Sequence, residues 1–363
     1  MYQKISDKRF VSLFVSIIAI FLLYHLLIWS FLTSRFFSTD PYYIGDLGRM
    51  SYQIGSLHPR IEQITLPLCH YDGTNWNNEP IDLITIGDSF SNGMGSGTNP
   101  YYQDFLATKL RINILNIQNI DDRLSYTETI RHLHQQGWLG KIRPKAILIE
   151  SVARDVFNHG IPKNAGFEPG SEHLNSMLFN SKFTREFPKP LLINTANYKA
   201  PYYYLKYRYS ARAKKEVYKL PLAQHLFSVP EPDALLVYHD DINSIQSVTE
   251  SAVKQLNNEL NLLADELRRD GIALIFMPAV DKYDLYYDEL ADKNSYPSNP
   301  FFPLLRKQPK RYLLVDTKAI LRPLLDQRVP DVYYADDTHW SDKASSHITD
   351  DTVFAYLKDK SRP

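Results

Sequence analysis

Short apolar runs and helical periodicities alternate along most of this chain from residue 80 onward. Runs rich in Ile, Leu and Val, typical of buried strands, occur at 81–86, 112–117, 146–149, 272–280 and 311–316. Patterns typical of helices separate them at 101–110, 125–136, 247–269 and 317–327. Strands that alternate with helices favour a parallel sheet with right-handed crossovers, so the predicted fold class is α/β.

The longest apolar run lies near the N-terminus. Residues 10–32 read FVSLFVSIIAIFLLYHLLIWSFL without a formal charge, which is long enough for a helix that crosses a bilayer. A basic tail at 1–9 precedes it, so the positive-inside rule predicts a cytoplasmic N-terminus and a domain outside the cytoplasm. A cleaved signal peptide is the competing interpretation, but no small-x-small site follows the run. We expect a retained anchor in which His25 is near-interfacial or contacts another helix.

Two segments lack a clear periodic pattern. The first, 33–79, is predicted to be a neck that packs on the domain at 80–363, because Ile44, Leu47 and Ile61 need burial. The second, at about 159–241, contains the tyrosine-dense run PYYYLKYRYS and is predicted to be an insertion in that domain. Its tyrosines either stack against sugar rings or pack beneath a loop.

Composition narrows the functional classes. Of 363 residues, 44% are hydrophobic, which is enough for one large α/β domain or two smaller ones. Lys plus Arg and Asp plus Glu both number 41, so the chain has no net positive charge that would attract nucleic acid. The single cysteine, Cys69, excludes an intrachain disulfide and a zinc cluster of cysteines. The run GMGSG at 93–97 lacks the spacing and lysine of a phosphate-binding loop. No metal or organic cofactor is predicted.

Candidate chemistry begins where the first strand ends. The segment IDLITIGDSFSNGMG at 81–95 puts Ser89 at the carboxyl end of a strand, where open α/β sheets bind ligands. Nearby glycines, including Gly87 and Gly93, allow positive φ and a close approach of substrate, so Ser89 can be an exposed nucleophile. The alternative is an ordinary turn in which Asp88 or Ser89 caps a helix.

A partner for Ser89 lies near the other end of the chain. The segment VPDVYYADDTHWS at 329–341 is predicted to be a short strand that leads into a loop with Asp336, Asp337 and His339. A serine hydroxyl needs an imidazole to take its proton, and that imidazole needs a carboxylate to fix its tautomer. Asp336 lies three residues and Asp337 two residues before His339, and either spacing suits the supporting role. The alternative is a surface loop that caps the next helix.

These two motifs resemble those of a known superfamily. GDSF and DDTHWS are similar to the first and last motif blocks of the SGNH hydrolases, and DTHW is similar to the bacterial alginate O-acetyltransferase group. The resemblance implies a flavodoxin-like three-layer fold, with Ser89 as nucleophile and His339 as general base. It implies Asp336 as supporting acid if the D-x-x-H spacing of SGNH enzymes holds, or Asp337 if the D-x-H spacing of the acetyltransferases holds.

The middle motifs differ from the family pattern. An SGNH enzyme is expected to supply a glycine after the second strand and an asparagine after the third, and both donate to the oxyanion. Here the second strand region offers Asn116 and Asn119 but no glycine, and the third ends in Glu150 with Arg154 four residues later. Asn119, Arg154 and Trp340 are the candidates for oxyanion or substrate contacts. Alternatively, Glu150 and Arg154 form a plain ion pair.

Together these observations predict a membrane-anchored, extracytoplasmic, serine-dependent O-acyltransferase or esterase. The resemblance implies acetyl as the acyl group, a secreted or cell-surface polysaccharide as acceptor, and a membrane-embedded acyltransferase as donor. It also implies a bacterial inner membrane with the catalytic domain in the periplasm. The alternatives are a carbohydrate esterase that removes acetyl groups and a non-catalytic polysaccharide-binding or scaffolding subunit of an export or acetylation complex. A lipid esterase that faces the cytoplasm would require the opposite topology.

Overall fold

A computed structural model describes residues 7–37, 44–58, 64–93, 101–163, 166–170 and 191–358. The α-helices of these residues are α1 (Asp7–Phe31), α2 (Asp46–Ser51), α3 (Tyr102–Leu110), α4 (Tyr126–Gln135), α5 (Trp138–Ile142), α6 (Val156–Gly160), α7 (Ala196–Lys206), α8 (His239–Asn243), α9 (Glu250–Arg268), α10 (Lys282–Tyr286), α11 (Phe301–Lys307), α12 (Thr317–Asp326) and α13 (Asp342–Ile348). The strands are β1 (Leu83–Ile86), β2 (Ile114–Ile117), β3 (Ala146–Val152), β4 (Val217–Pro221), β5 (Ala234–Tyr238), β6 (Ala273–Ala279) and β7 (Leu313–Leu314).

The central sheet has five parallel strands in the order β2-β1-β3-β6-β7, which confirms the predicted α/β class. Leu83 of β1 pairs with Ile114 of β2 and Ala146 of β3. Strands β1, β2 and β3 are buried along their whole length, as parallel strands covered on both faces are. Counted within this sheet alone, the order is 2-1-3-4-5, so the winding direction reverses between β1 and β3. The carboxyl ends of strands at such a reversal border a ligand-binding crevice.

Capping residues explain where the longer helices begin. Ser125 and Glu128 form a capping box, in which each side chain accepts a hydrogen bond from the other residue's backbone amide, so α4 begins at Tyr126. Thr249 caps α9 by accepting from the amide of Ala252, which shortens the helix predicted from 247. The buried stripe of α9 contains Val253, Leu256, Leu260, Leu263 and Leu267.

One expectation about local structure is wrong. Residues 332–334 join no strand of the sheet, because the chain turns back and Tyr333 forms an isolated bridge with Trp340. The segment at 159–241 has regular structure despite its aperiodic sequence, namely helix α7 and an antiparallel hairpin of β4 and β5. Residues 171–190 of that segment lie outside the described residues.

Helix α1 is long and apolar enough to cross a membrane, and it is the one such helix within the described ranges. Its most apolar 18-residue window has a mean hydropathy of 2.6, and only 6% of that window is buried. His25 is an exception, because its side chain is fully buried against another part of the chain.

The neck packs on the domain through apolar side chains. Leu47 of α2 is buried with Val217 and Leu236 of the β4–β5 hairpin. Ile44 is buried with Phe36 and Ala200. Ile61 lies outside the described residues. These contacts bring α2 next to the loop that carries His339.

Candidate active site

Ser89 and His339, 250 residues apart in the chain, meet beyond the carboxyl end of β1. The Nε2 atom of His339 lies 2.7 Å from Ser89 Oγ, and its Nδ1 atom lies 2.6 Å from Asp337 Oδ1. An ionised carboxylate only accepts, so the neutral ring carries its proton on Nδ1 and leaves Nε2 to accept from the serine hydroxyl. This is the hydrogen-bond pattern of a serine–histidine–aspartate triad.

Asp336, the other carboxylate considered, faces the neck. Its Oδ2 atom accepts hydrogen bonds from the backbone amides of Gly45 at 3.0 Å and His58 at 3.2 Å. Its carbonyl oxygen accepts from the amide of Gly48 at 2.8 Å. The structure therefore places Asp337 on the histidine ring and Asp336 on the neck.

The turn that carries Ser89 has no room for a side chain at Gly87. A Cβ atom there would lie 2.2 Å from Ser91 Oγ and 2.4 Å from Glu150 Oε2. The φ angle of Gly87 is not positive, so glycine is needed here for space and not for an unusual backbone angle. Gly93 has a φ of +71°, which fits the expected use of glycine in this loop.

Two carboxyl groups, those of the fully buried Glu150 and of the partly buried Asp88, lie behind this turn. Glu150 Oε2 accepts from Ser91 Oγ at 2.9 Å and from the amide of Asp88 at 3.2 Å. Burial, and then the neighbouring Asp88 carboxylate, raise the pKa of Glu150 well above its usual range. Asp88 in turn accepts from the amide of Val152 at 2.7 Å. The pair therefore joins the ends of β1 and β3.

Arg154 pairs with two buried aspartates and not with Glu150, so the alternative of an ion pair between Glu150 and Arg154 is wrong. Its Nη1 atom donates to Asp241 Oδ1 at 3.0 Å and to Asp281 Oδ1 at 3.4 Å. Burial works to lower the pKa of Arg154, but these carboxylates outweigh it and the pKa is raised. Arg154 is therefore held by Asp241 and Asp281, while the Glu150 carboxyl group binds Ser91.

The asparagines considered for the oxyanion have other partners. Asn119 Nδ2 donates to the carbonyls of Asp121 and Leu124 at 2.9 and 3.0 Å. Asn116 Nδ2 donates to the carbonyl of Ser91 and to Asn92 Oδ1. An amide nitrogen has two hydrogens, so both side chains use their donors within the protein.

Trp340 lies beneath the site. Its side chain is 4% exposed, and its ring packs against Phe90 with 4.5 Å between ring centroids. Phe90 also packs against the ring of His339, with 4.7 Å between centroids. Trp340 therefore supports the histidine through Phe90, and it is too buried to contact a large substrate.

Lys282 holds the loop that carries the triad, and sequence reasoning missed it. Its fully buried Nζ atom donates to the carbonyls of Tyr334, Ala335 and Asp337 at 2.8, 2.9 and 3.1 Å. Burial lowers the pKa of Lys282 to about 8, although Asp336 and Asp337 act in the opposite direction. The only sequence signal is its position just after β6, at the carboxyl edge of the sheet.

Asp46 of α2 is the second residue that sequence reasoning missed. Its Oδ1 atom accepts from the amide of Thr338 at 2.9 Å, and its Oδ2 atom accepts from Thr338 Oγ1 at 2.6 Å. Burial, and then Asp337, raise the pKa of Asp46. Nothing in the neck sequence marks this aspartate.

Asp46, Asp337 and His339 also form a potential metal-ligand cluster. Their ligand atoms lie within 4.8 Å of one another. Oxygen and imidazole ligands of this kind suit several divalent metals. A metal bound through Nδ1 of His339 would break the hydrogen bond to Asp337, so the cluster and the triad geometry are mutually exclusive.

Comparisons with protein-family models, with curated proteins and with solved structures give no significant match to this chain.

Proposed function

We propose that this chain is a membrane-anchored, serine-dependent O-acyltransferase or esterase of the SGNH hydrolase type. The observation that carries the proposal is the hydrogen-bond chain from Ser89 through His339 to Asp337. The GDSF motif at the end of β1 and the sheet order 2-1-3-4-5 support the SGNH relationship. The D-x-H spacing of Asp337 and His339 favours the acetyltransferase-like group within it.

The proposed reaction has two half-reactions. His339 Nε2 takes the proton of Ser89 as Oγ attacks the carbonyl carbon of an ester donor, and the proton then passes to the departing alkoxide. Asp337 stabilises the imidazolium that forms between these steps. In the second half, His339 deprotonates the acceptor hydroxyl, whose oxygen attacks the acyl-Ser89 ester. The acylated acceptor leaves and Ser89 regains its proton.

The proposed acyl group is acetyl, and the proposed acceptor is a hydroxyl of a secreted or cell-surface polysaccharide. A membrane-embedded acyltransferase would supply the acyl group. Water in place of the sugar hydroxyl would make the same machinery a carbohydrate esterase, so exclusion of water decides between transfer and hydrolysis.

The proposed location is the bacterial inner membrane, with α1 as a single span and the catalytic domain in the periplasm. The basic residues Lys4, Lys8 and Arg9, which precede the apolar run at 10–32, support this orientation. Alkaline phosphatase fused after Pro363 should be active, because that enzyme requires export. If a reporter that works only in the cytoplasm were active at the same point, the proposed topology would be wrong.

The catalytic role of Ser89 can be tested with the full chain in detergent and p-nitrophenyl acetate as donor. Ser89→Ala should lower kcat by about 10³-fold or more, because the acyl intermediate cannot form. Ser251→Ala is the matched control, since Ser251 is exposed on α9. Mass spectrometry of the wild-type chain should find the acetyl group on the peptide that contains Ser89. Full turnover by Ser89→Ala would refute the proposal.

A non-catalytic polysaccharide-binding or scaffolding subunit is the second candidate. The observation that favours it is that the side chains of Asn116, Asn119 and Arg154 are engaged with other protein groups. Such a subunit would bind polysaccharide without acetylation of Ser89. The mass-spectrometric experiment therefore separates the two candidates.

A further inference from the structure

Helix α7 docks on the half of α1 nearest the domain through polar contacts. His25 Nε2 lies 2.9 Å from the hydroxyl of Tyr198, and His25 Nδ1 lies 2.7 Å from Asn197 Nδ2. Tyr24 donates to the carbonyl of Asn197 at 2.7 Å, and Thr33 donates to the Asn197 side chain. Tyr24 and His25, two polar side chains of α1 that a lipid environment would leave unsatisfied, therefore have partners on α7, and Thr33 just after α1 has one too.

These contacts fall within the length of α1 that the bilayer would enclose. From Phe10 to His25 the helix rises about 22 Å, whereas the hydrocarbon core is about 30 Å thick. A helix that hydrogen-bonds to His25 therefore lies at the depth of the outer leaflet and its interface, not well above the membrane.

Helix α7 is apolar on two opposite faces. Its inner face contains Ala196 and Ala200, which are buried, and Tyr203, which stacks on Tyr52. Its outer face carries Tyr198, Tyr202 and Leu205, which are exposed by 52%, 54% and 55%; one side of Tyr198 also packs on Tyr24 and His25 of α1. The outer residues are four and three positions apart, so they form one stripe along the helix. A helix in water would present polar residues on the face away from the protein.

The residues around α7 extend this apolar surface. Leu191, Leu192 and Ile193 directly precede the helix and are exposed by 66%, 41% and 47%. Lys199 and Lys206 are exposed beside the stripe, and the Nζ atom of Lys206 lies 5.2 Å from the ring centre of Tyr202. Tyrosine at the membrane interface and lysine that reaches toward lipid headgroups are typical of interfacial helices.

We propose that residues 191–206 form a second membrane-contacting element, which lies in the interface of the bilayer that α1 spans. Leu191, Leu192 and Ile193 enter the acyl region together with the stripe of Tyr198, Tyr202 and Leu205. The surface is continuous with the exposed apolar side chains of α1, which is why a lipid bilayer is the occupant that fits it. This inference rests on the proposed spanning role of α1, and it adds that the domain is attached to the membrane at two elements.

The test uses the full chain in vesicles of phosphatidylcholine and phosphatidylglycerol, with Cys69→Ser because Cys69 is exposed. Leu205→Cys carries a nitrobenzoxadiazole fluorophore, and lipids with a nitroxide on the upper acyl chain act as quenchers. Leu262→Cys on α9 is the matched control, because Leu262 is 53% exposed. Ile18→Cys in the middle of α1 reports on the span itself. Residue 205 lies outside the triad, so ester turnover checks that the labelled chain is folded.

The expected result is several-fold stronger quenching at positions 205 and 18 than at position 262. Quenching at 18 alone would overturn the second membrane contact while leaving α1 as an anchor. If neither the label at 18 nor the label at 205 were quenched, α1 would not span the bilayer, and the inference about residues 191–206 would be refuted as well. If the label at 205 escapes lipid quenching but responds to soluble alginate, the tyrosine face binds sugar and the membrane contact is refuted.

Discussion

Asp336 and Asp337 are adjacent and chemically identical, yet one binds the neck and the other binds the ring of His339. The Asp337 carboxylate accepts from both the backbone amide and the ring Nδ1 of His339. The Asp336 carboxylate accepts from two amides of the neck. The chain turns at Asp336 and bends at Asp337, so the two side chains bind different partners and only that of Asp337 reaches the ring.

The two aspartates should therefore differ in their effect on catalysis. Asp337→Asn should lower kcat for p-nitrophenyl acetate on the order of 10³-fold to 10⁴-fold, because an amide can donate to Nδ1 and hold the wrong tautomer. Asp336→Asn should change kcat little and mainly lower Tm, since its oxygen can still accept from the neck. Equal losses of kcat in both variants would contradict the assignment.

Glu150 should make stability depend on pH. Its pKa in the folded chain is raised above the ordinary value of 4.5, so the folded chain binds this proton more tightly than the unfolded chain does. Its contribution to the free energy of unfolding is thus complete below about pH 4.5 and is lost as pH rises through the folded pKa. Glu150→Gln does not titrate and should lose less stability between about pH 5 and pH 8.

The measurement for Glu150 is chemical denaturation of both proteins at the two pH values. Glu250→Gln, on the exposed first turn of α9, is the control and should follow the wild-type pH dependence. Parallel pH profiles for the wild type and Glu150→Gln would show that Glu150 is ionised in the folded chain.

At the scale of elements, the loop at 332–341 is held from two sides. Lys282 at the start of α10 donates to three of its carbonyls, and Asp46 of α2 accepts from Thr338. The loop has little regular structure of its own beyond the bridge from Tyr333 to Trp340. Its shape, and with it the position of His339, therefore depends on neighbouring elements.

Lys282→Met should lower kcat as well as Tm, because Lys282 helps to position the loop that carries His339. Methionine fills a similar volume but removes the Lys282 donor from the carbonyls of Ala335 and Asp337, each at a cost of about 1–3 kcal/mol, partly offset because a buried charge is removed. The carbonyl of Tyr334 still accepts from the amide of Asp337. Lys310→Met is the matched control, because Lys310 also donates to two backbone carbonyls, those of Arg306 and Gln308. The control should lower Tm without changing kcat. If the two variants had equal kcat, Lys282 would not be needed to position the loop.

The regular elements were more predictable than the loop. Buried runs of Ile and Leu predict β1, β2, β3 and β6, and capping residues such as Ser125 explain the helix starts. The meeting of Ser89 and His339 follows from two motifs at one edge of a parallel sheet. Asp46 and Lys282 act through tertiary contacts, which a single charged residue in a sequence does not reveal. The hairpin of β4 and β5 was also hidden, since its short strands show no apolar alternation that stands out from their surroundings.

At the scale of the whole molecule, the neck and the C-terminal loop form one unit. Gly45 lies so close to Asp336 that an added Cβ would be 2.2 Å from its carbonyl oxygen. The φ angle of Gly45 is −71°, which any residue can adopt, so contact alone demands glycine there.

Gly45→Ala should therefore separate the neck from the loop. We expect a loss of stability of about 1–3 kcal/mol, as overpacking typically causes, together with lower ester turnover. Gly140→Ala is the matched control, because nothing lies within 4 Å of a Cβ at Gly140 and its helix would gain from alanine. Thermal unfolding and kcat measured on both variants test this, and a neutral Gly45→Ala would show that the neck is not tightly packed.

The bond between Gly45 and Asp336 joins residues 291 positions apart, and this separation has a consequence for biogenesis. A chain that leaves the ribosome from its N-terminus presents the neck long before the loop exists, so α2 must wait until the chain reaches Asp336. A nascent chain that has not reached His339 lacks the imidazole, although Asp46 and Lys282 are already made. The proposed site would thus assemble only after the loop at 332–341 is synthesised, when α1 has long left the ribosome.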